Sequence, residues 1–371
     1  DHDTVVIEIK WGKRPIWGKG TWKLNTSILQ DNEYRKRILN DIQNYNINKI
    51  TQDSMDAWDI FKSKIKQTTI AYTIEKQRKE KDDLKLLKQQ LLDTIEIIDK
   101  STRVDKNILN KKVDLEQLIQ KLESEKSEGE RIRSKIEKTV FDERSTKYYF
   151  KKEKEVGNNK QIIAVDINEH QTVETKDEIL EEIHKFYTTL YTSEGTNDQQ
   201  TEENLKYIKT KLTENDQADL NKIITSKEIY KAITNMKNEK SPGEDGIPKE
   251  FYLAFYNDLE EILIELYNNI KFSKRQPKSH KNAIIKLMYK KNNQKDLKNW
   301  RPISLLNVDY KILTKILTNR LTEVTEQIVP LEQKCGVKNR KMSDIIRNIS
   351  SFRKYSKQGY LVLIDQIKAF D

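Results

Sequence analysis

A carboxylate at the end of an apolar segment is the first candidate for chemistry in this sequence. Residues Tyr360–Ile364 are continuously apolar, as in a strand buried on both faces of a sheet, and they run directly into Asp365. A carboxylate at a sheet edge is a common metal ligand, and phosphoryl transfer with two Mg²⁺ ions needs several such ligands. Asp365 would serve equally well as a helix N-cap, so the residues alone leave both interpretations open.

Two cations stand at the ends of a predicted β-hairpin. Residues 283–289 are predicted to form a strand, which is followed by a polar turn and by a second strand that starts near Trp300. Lys290 and Arg301 would face each other across this hairpin, where a mobile ammonium and a planar guanidinium fork could hold a triphosphate. Two solvated surface bases are the plainer interpretation, and the spacing does not exclude it.

A third candidate is a patch in which bases alternate with aromatic rings, Lys147-Tyr148-Tyr149-Phe150-Lys151-Lys152. Such a pattern suits nucleic acid, because cations meet phosphates while rings stack on bases or sugars. The same residues would also suit an amphipathic helix that buries Tyr149 and Phe150 against a neighbour. The pattern favours neither interpretation.

Helices dominate the elements predicted around these candidates. Apolar residues recur at heptad intervals in two runs, Leu84, Leu87, Leu91 and Ile98, then Leu115, Leu118 and Leu122. Because Ser101–Arg103 interrupts the pattern, we expect an antiparallel helical hairpin. Taken alone, this hairpin could be a solvated coiled coil without chemistry.

Short elements are predicted elsewhere. Strands are expected within residues 1–25 and at 162–165, and Ser27 is expected to cap the first helix. Helices are predicted at 223–236 (started by Ser226), 251–270 and 312–328. Pro242-Gly243 suits a type II turn, and Asp245-Gly246 suits a second turn.

The composition excludes several classes of protein. Charged and hydrophobic residues each make up 35% of the 371 residues, and no apolar segment approaches the ~18–20 residues of a transmembrane helix. The N-terminus has no signal-peptide core, so we expect neither a secreted protein nor a membrane partner. One cysteine, Cys335, excludes an intramolecular disulfide. The net charge of +10 (69 − 59) is only a weak indication of nucleic acid.

Three segments, in this order, resemble the early motifs of the reverse transcriptase of LINE-type, non-LTR retrotransposons. They are Lys240–Tyr252 (KSPGEDGIPKEFY), Asn299–Lys311 (NWRPISLLNVDYK) and Ile364–Asp371 (IDQIKAFD). Upstream, Glu143–Phe150 resembles the basic segment ahead of the fingers in those proteins. Asp1-His2 and Thr21–Asn25 resemble the end of their apurinic-endonuclease-like domain.

The resemblance implies roles for individual residues. Asp365 matches the first catalytic aspartate of the polymerase palm, a Mg²⁺ ligand, and Phe370 matches the aromatic residue below the incoming sugar. Arg301 matches the fingers arginine on the triphosphate. Lys290 is the expected fingers lysine, although Lys291 is adjacent and the register stays open.

Further roles follow from the same resemblance. Asp1 and His2 match the last catalytic pair of the endonuclease. Gln333, Gly336 and Arg340 match the segment between fingers and palm. The residues expected to contact nucleic acid are Lys147, Tyr148, Lys151, Lys152 and Arg340. The chain departs from the usual pattern at Glu244, where Pro is common, and at Val337, where Phe is common.

The implied architecture is α+β and mostly α. We expect the end of an endonuclease-like domain (1–25), with strands left from an endonuclease/exonuclease/phosphatase-like sandwich, and a helical hairpin region (26–140). A basic N-terminal extension of the polymerase (141–222) would follow, and then the fingers and first palm strand of a right-hand polymerase (223–371).

The expected function is RNA-directed DNA polymerisation, copying element RNA from a nicked-target primer by two-metal transfer. The resemblance implies Mg²⁺ as cofactor and RNA template, DNA target and dNTP as partners, inside the cell, in nucleus and cytoplasm of a eukaryotic host. Because the second aspartate pair and most of the endonuclease fall outside this sequence, we expect an inactive fragment with one metal ligand. The alternatives are a non-catalytic RNA- or DNA-binding helical module and a group II intron-type maturase.

Overall fold

The computed structural model describes residues 20–48, 53–101, 105–134, 162–168, 170–193, 195–208 and 210–355, together with 360, 362 and 364. Within these residues the chain is mostly helical with two small sheets, as expected for an α+β protein rich in helix. None of the helices in this part of the chain is long and apolar enough to cross a bilayer.

The elements follow one another along the chain as short units around a few long helices. The helices are α1 (Asn32–Asn48), α2 (Ser54–Lys100), α3 (Lys106–Ser134), α4 (Lys176–Tyr191), α5 (Asp198–Leu205), α6 (Glu214–Leu220), α7 (Ser226–Thr234), α8 (Lys249–Ala254), α9 (Tyr256–Ser273), α10 (Val308–Ile328) and α11 (Ser343–Tyr355). The strands are β1 (Val165–Asn168), β2 (Gln171–Val173), β3 (Ile284–Tyr289) and β4 (Trp300–Leu305). Short 3₁₀ helices cover Thr26–Gln30, Lys278–His280 and Leu297–Asn299.

The chain forms two compact units, each assembled from separate chain segments. The first unit comprises residues 1–66, 223–284 and 305–316. The second comprises residues 67–222, 285–304 and 317–371. The first turns of α2 therefore belong to the same unit as the KSPGEDGIP segment and the start of α10, although these segments are far apart in sequence.

Helices form the core of the first unit. Helix α9 contacts α1, α7 and α8, and the 3₁₀ helix Thr26–Gln30 contacts α1 and α8. Helix α7 is amphipathic, with its apolar face buried, and a capping box between Thr225 and Glu228 starts it. The largest side chains that are fully buried here are Trp58, Tyr34, Tyr252, Tyr267, Phe251 and Phe255. Burial of so many rings is the main source of stability in this unit.

Two small sheets lie in the second unit. Strands β1 and β2 pair antiparallel with Val165 opposite Val173, and β3 pairs with β4. Their inward side chains meet α4 in one apolar cluster of Val165, Val173, Ile179, Leu297 and Trp300. Among the described residues, this cluster packs on one face of the β3–β4 pair, and Met288 and Arg301 of the other face are exposed.

The expected helical pair is present as α2 and α3. Helix α2 ends at Lys100, at the predicted break. The half-buried positions of α2 include Leu84, Leu87, Leu91 and Ile98, the predicted heptad residues. Lys88 Nζ lies 2.6 Å from Glu123 Oε1, so the two helices run back along each other.

Several local predictions are wrong. Asn25, not Ser27, caps the first helical turn, because its side chain accepts from Ser27 N at 3.2 Å. The helix predicted at 251–270 is divided into α8 and α9 at Phe255, whose backbone leaves helical geometry (φ −114°). The strand predicted at 162–165 begins only at Val165.

The predicted terminal strands differ in outcome. Residues 1–19 lie outside the described part of the chain, and residues 20–25 form no strand. Of the segment 360–364, the described residues Tyr360, Val362 and Ile364 lie outside any strand and are 73–97% exposed. The buried strand predicted there is therefore absent from these residues, because an apolar sequence forms a buried strand only where neighbouring strands pair with it.

Candidate functional site

The pair of strands β3 and β4 has one supported face and one open face. Leu287, Tyr289 and Trp300 pack on the apolar cluster of the second unit, and the Trp300 indole N–H donates to Gln294 O at 2.8 Å. Successive side chains of a strand point to opposite faces. Met288 and Arg301 therefore lie on the open face, where Met288 is 49% exposed.

Both predicted triphosphate ligands belong to this open face. Lys290 follows β3 directly, and its backbone N–H donates to Asn299 O at 3.0 Å, so the strand pairing continues through this residue. Lys290 thus has the same orientation as Met288 and lies across from the segment that carries Arg301. Both side chains are exposed. The strand alternation favours Lys290 over Lys291 as the residue that shares a face with Arg301.

The segment that leads into β3 is joined by hydrogen bonds to the segment that follows β4. Asn307 Nδ2 donates to Ser279 O at 2.9 Å. His280 Nε2 lies 3.0 Å from Asp309 Oδ2, and both side chains have no solvent exposure. Residues 279–280 precede β3 and residues 307–309 follow β4, so these bonds join two segments of the first unit that are distant in sequence.

Buried charges surround this junction within the first unit. Lys62 Nζ, from α2, donates to Asp309 Oδ2 at 2.8 Å, to Ser279 Oγ at 2.6 Å and to Asp245 Oδ2 at 3.3 Å. The Trp58 indole N–H donates to the same Asp309 oxygen at 2.7 Å. We call Lys62, Asp245, His280 and Asp309 the buried charge cluster. It connects α2, the KSPGEDGIP segment, the residues before β3 and the start of α10.

The electrostatics of the cluster separate its two carboxylates. Burial by itself would raise the pKa of Asp309, but the Lys62 ammonium and His280 overcome it and hold that pKa well below its usual range. Burial, followed by the nearby charge of Asp309, raises the pKa of Asp245 to about 6. Asp309 is therefore the ionised partner of Lys62, whereas Asp245 changes protonation in mildly acidic solution.

Gly243 allows the KSPGEDGIPKEFY segment to pack closely against the NWRPISLLNVDYK segment. A Cβ on Gly243 would lie 2.2 Å from Asn307 Oδ1 and 2.5 Å from Asn307 N, closer than real Cβ contacts. The type II turn predicted at Pro242-Gly243 is wrong, since the positive φ (+73°) falls on Gly246, whose N–H donates to Gly243 O at 3.2 Å. Glycine is required at 243 for close approach rather than for its backbone angle.

Arg340 is engaged within the chain. Its guanidinium donates to Val329 O at 2.8 Å, Gln333 O at 2.9 Å and Glu326 O at 3.2 Å, and also to Pro330 O. These carbonyls lie at and beyond the end of α10, where helical partners are missing. The assignment of Arg340 to nucleic acid stays a prediction, and this arrangement favours a role in closing the helix. Gln333 Nε2 also donates locally, to Cys335 O at 3.1 Å.

Most of the other predicted site residues lie outside the described part of the chain. They are Asp1, His2, Lys147, Tyr148, Lys151, Lys152, Asp365 and Phe370. Among the described residues, no three His, Cys, Asp or Glu side chains are grouped so as to hold a metal ion.

Sequence reasoning did not find the buried charge cluster. Lys62 lies in an apolar helical run between Trp58 and Ile65, and Asp309 lies in another before Ile312. A charge at an apolar position of a helical period is a signal for a buried ion pair, because buried charges are paired. The sequence could have indicated that each charge was buried, but not that they were partners.

Comparison with known proteins adds a family and one relative. Residues 289–371 match the sequence model of the family described as reverse transcriptase (RNA-dependent DNA polymerase). The whole chain aligns at 26% identity, over 384 residues, with a Xenopus laevis protein named "Transposon TX1 uncharacterized 149 kDa protein". The alignment covers 100% of this chain and 28% of that protein, so the chain spans about a quarter of the relative's length. The family match begins at the end of β3 and includes Lys290, Arg301 and Asp365.

Proposed function

We propose that this chain, a reverse transcriptase segment of the LINE-type, non-LTR retrotransposon class, supplies the fingers of an RNA-directed DNA polymerase. Such a polymerase would copy element RNA into DNA from the 3′-hydroxyl of a nicked target. The observation that carries the proposal is the open face of β3 and β4. There Lys290, directly after β3, and Arg301, within β4, are both exposed, and β3 pairs with β4.

The chemistry of a nucleoside triphosphate fits this face. Its phosphates carry several negative charges, and Arg301 offers paired donors in a plane while Lys290 offers a mobile charge. Support by Trp300 and Tyr289 from the opposite face limits movement of the strands, which lowers the entropy lost on binding. The arrangement is suited to positioning a triphosphate for in-line attack by a primer hydroxyl.

The residues that would bind the metal ions of such a polymerase lie outside the described residues. Two Mg²⁺ ions would stabilise the attacking and leaving oxygens in nucleotidyl transfer, and Asp365 is the one expected ligand in this sequence. We further propose that Asp1 and His2 belong to a linked endonuclease that nicks the DNA target.

Binding of a deoxynucleoside triphosphate tests the fingers assignment directly. The Kd of chain 1–371 for dTTP in the presence of Mg²⁺ would be measured by calorimetry. Loss of a charged hydrogen bond costs about 1.5–3 kcal/mol, so Lys290→Ala and Arg301→Ala should each weaken binding about 10- to 150-fold.

The neighbouring lysines provide matched controls. Lys291→Ala tests the register, and Lys298→Ala removes another exposed charge from the same connection. Both should change the Kd less than about threefold, since solvent-exposed charges that do not contact the ligand contribute little. Equal weakening by all four variants would mean that net charge, and not this face, attracts the triphosphate.

A further inference from the structure

Positive charge is concentrated in one stretch of this chain. The segment from Leu266 to Lys295 includes nine Lys and Arg and no Asp or Glu, whereas the surplus over the whole chain is only ten. Five of these nine cations fall within the shorter segment Lys271–Lys281, which we call the basic loop. The basic loop is therefore a dense group of cations in the sequence.

The basic loop presents its cations to solvent. Arg275 is 70% exposed and Lys278 is 86% exposed, and Lys274 and Lys281 also lie on the surface. Within the described chain, Arg275 pairs with Asp53 at 3.0 Å and Lys278 lies 3.6 Å from Asp56. Exposed pairs of this kind are weak and exchange readily for a phosphate.

An aromatic ring is exposed among these cations. Phe272 is 67% exposed, and Lys271 Nζ lies 5.8 Å from the centre of its ring. An exposed ring among several exposed cations is the combination that binding surfaces for single-stranded nucleic acid use. Unstacked bases of single-stranded nucleic acid supply such a partner, because every base has a face that stacks on a ring while its phosphate meets a cation.

Both ends of the basic loop are anchored in the first unit. Ile270 is buried at the end of α9, and Lys274 has a left-handed backbone (φ +57°) whose N–H donates to Ile270 O at 3.0 Å. At the other end, His280 is buried in the charge cluster, and Ser279 N donates to Asp59 Oδ2 at 3.2 Å. Anchoring at both ends limits the entropy lost when a partner binds.

We propose that the basic loop binds the backbone of single-stranded RNA, with Phe272 stacking on a base and Lys274, Lys278 and Lys281 meeting phosphates. This rests on the proposed function for the identity of the nucleic acid. It assigns contacts to a surface distinct from the triphosphate-binding residues Lys290 and Arg301. Helix-end electrostatics would account for Lys271 and Lys274, but not for the exposed ring or for the cations that follow.

The test measures binding of a fluorescent 12-nucleotide single-stranded RNA to chain 1–371 at a series of salt concentrations. The triple variant Lys274→Gln, Lys278→Gln, Lys281→Gln should lower the slope of log K against log salt by about 2, near 0.7 for each lost contact. Phe272→Ala should weaken binding about 5- to 150-fold with the slope unchanged, because stacking involves no counterion release.

A second triple variant separates the loop from the net charge. Lys176→Gln, Lys206→Gln, Lys211→Gln removes three exposed cations elsewhere and leaves the same net charge. This variant should bind RNA within about twofold of the unchanged chain. Equal losses in the two triple variants, an unaffected Phe272→Ala variant, or no RNA binding by the unchanged chain would overturn the proposal.

The outcome does not depend on the triphosphate experiment. The basic-loop variants should keep the unchanged chain's Kd for dTTP, and Lys290→Ala should keep its RNA affinity. If dTTP does not bind while the basic-loop variants change RNA binding as expected, the assignment of Lys290 and Arg301 to the fingers is contradicted. The proposed RNA-binding role of the basic loop is then still supported. Urea unfolding of each variant at the unchanged midpoint confirms that the exposed substitutions leave the fold intact.

Discussion

Asp245 is the residue whose protonation matters most for the stability of the first unit. It lies 3.3 Å from Lys62 and shares that cation with Asp309, which is closer and fully buried. Because Asp245 is farther from the Lys62 ammonium than Asp309 is, its carboxylate gains less free energy from that cation than it loses by burial. This is the physical reason why its pKa is raised to about 6 while that of Asp309 is lowered.

The raised pKa gives a prediction with a definite sign. The folded chain holds the Asp245 proton more tightly than the unfolded chain, so this group's contribution is complete below about pH 4 and is lost as the pH rises to about 6. A difference of about two pKa units corresponds to about 3 kcal/mol at most. Asp245→Asn removes this term, so the variant should gain about 1–3 kcal/mol relative to the unchanged chain between pH 4.5 and pH 7.

Urea unfolding at the two pH values measures that difference. Asp309 has the opposite sign, because its contribution is present above about pH 4 and is lost at lower pH in both proteins. Glu244→Gln removes an exposed carboxylate next to Asp245 in the sequence and controls for the loss of one negative charge. An equal gain in both variants would mean that net charge, and not the burial of Asp245, is responsible.

Among individual residues, the sequence predicted the positions of exposed side chains better than the contacts of buried ones. The hairpin that carries Lys290 and Arg301 could be predicted from a local pattern, which the structure reproduces as β3 and β4. The role of these two residues on a triphosphate stays a prediction. Gly243 was assigned to a turn, although its role depends on its contact with Asn307, in a distant part of the sequence. Tertiary proximity leaves no local trace in composition or period, and this limits what residue patterns can reveal.

Among the elements, the end of α10 depends on one side chain. Arg340 donates to carbonyls from Glu326 to Gln333, which closes the polypeptide between α10 and α11. Arg340→Ala would leave these half-exposed carbonyls to water, and we expect a loss of about 1–2 kcal/mol in the free energy of unfolding.

Arg347→Ala is the matched comparison for this helix end. Arg347 is 76% exposed and lies 3.8 Å from Asp344, so its removal should cost less than about 0.5 kcal/mol. Thermal unfolding of both variants, together with RNA binding, gives the result. An Arg340→Ala variant of unchanged stability but weakened RNA binding would support the role that the family resemblance assigns to Arg340.

The long elements were the ones that the sequence predicted well. Heptad spacing located α2 and α3, and the polar residues after Lys100 located the end of α2. The break at Phe255 could not be predicted, because Phe255 is fully buried and the local sequence continues the helical pattern through it. Packing of this ring against Tyr34 and Phe251 determines where α8 ends.

For the whole molecule, the division into units places the first turns of α2 with the KSPGEDGIP segment and the start of α10. Trp58 and Lys62 of α2 bind Asp309, and Leu24 N donates to Gly246 O at 3.0 Å. Residues 20–66 thus complete the core around the KSPGEDGIP segment. Removal of a single partner from a buried ion pair costs about 3–5 kcal/mol, and removal of this whole segment would also open the core.

Two deletions test this organisation. A chain that starts at residue 67 should lose cooperative unfolding and bind hydrophobic dye, because Asp309 is left buried without Lys62. Replacement of Leu92–Leu118 by a four-residue Gly-Ser linker removes the far end of the α2 and α3 pair. It should keep cooperative unfolding, since Lys88 and Glu123 show that the helices are adjacent near the cut. A cooperative, dye-free chain 67–371 would contradict the assignment.

The pairing of Lys62 with Asp309 also has a consequence for the order of events during synthesis. The two residues are 247 positions apart. At translation rates of about 5–20 residues per second, Asp309 is made about 12 to 50 seconds after Lys62. Throughout that interval Asp309 has not yet been synthesised. The core around Trp58 and Lys62 therefore stays incomplete while the chain is attached to the ribosome. The nascent chain is therefore exposed to chaperones and proteases for longer than the length of its helices alone would suggest.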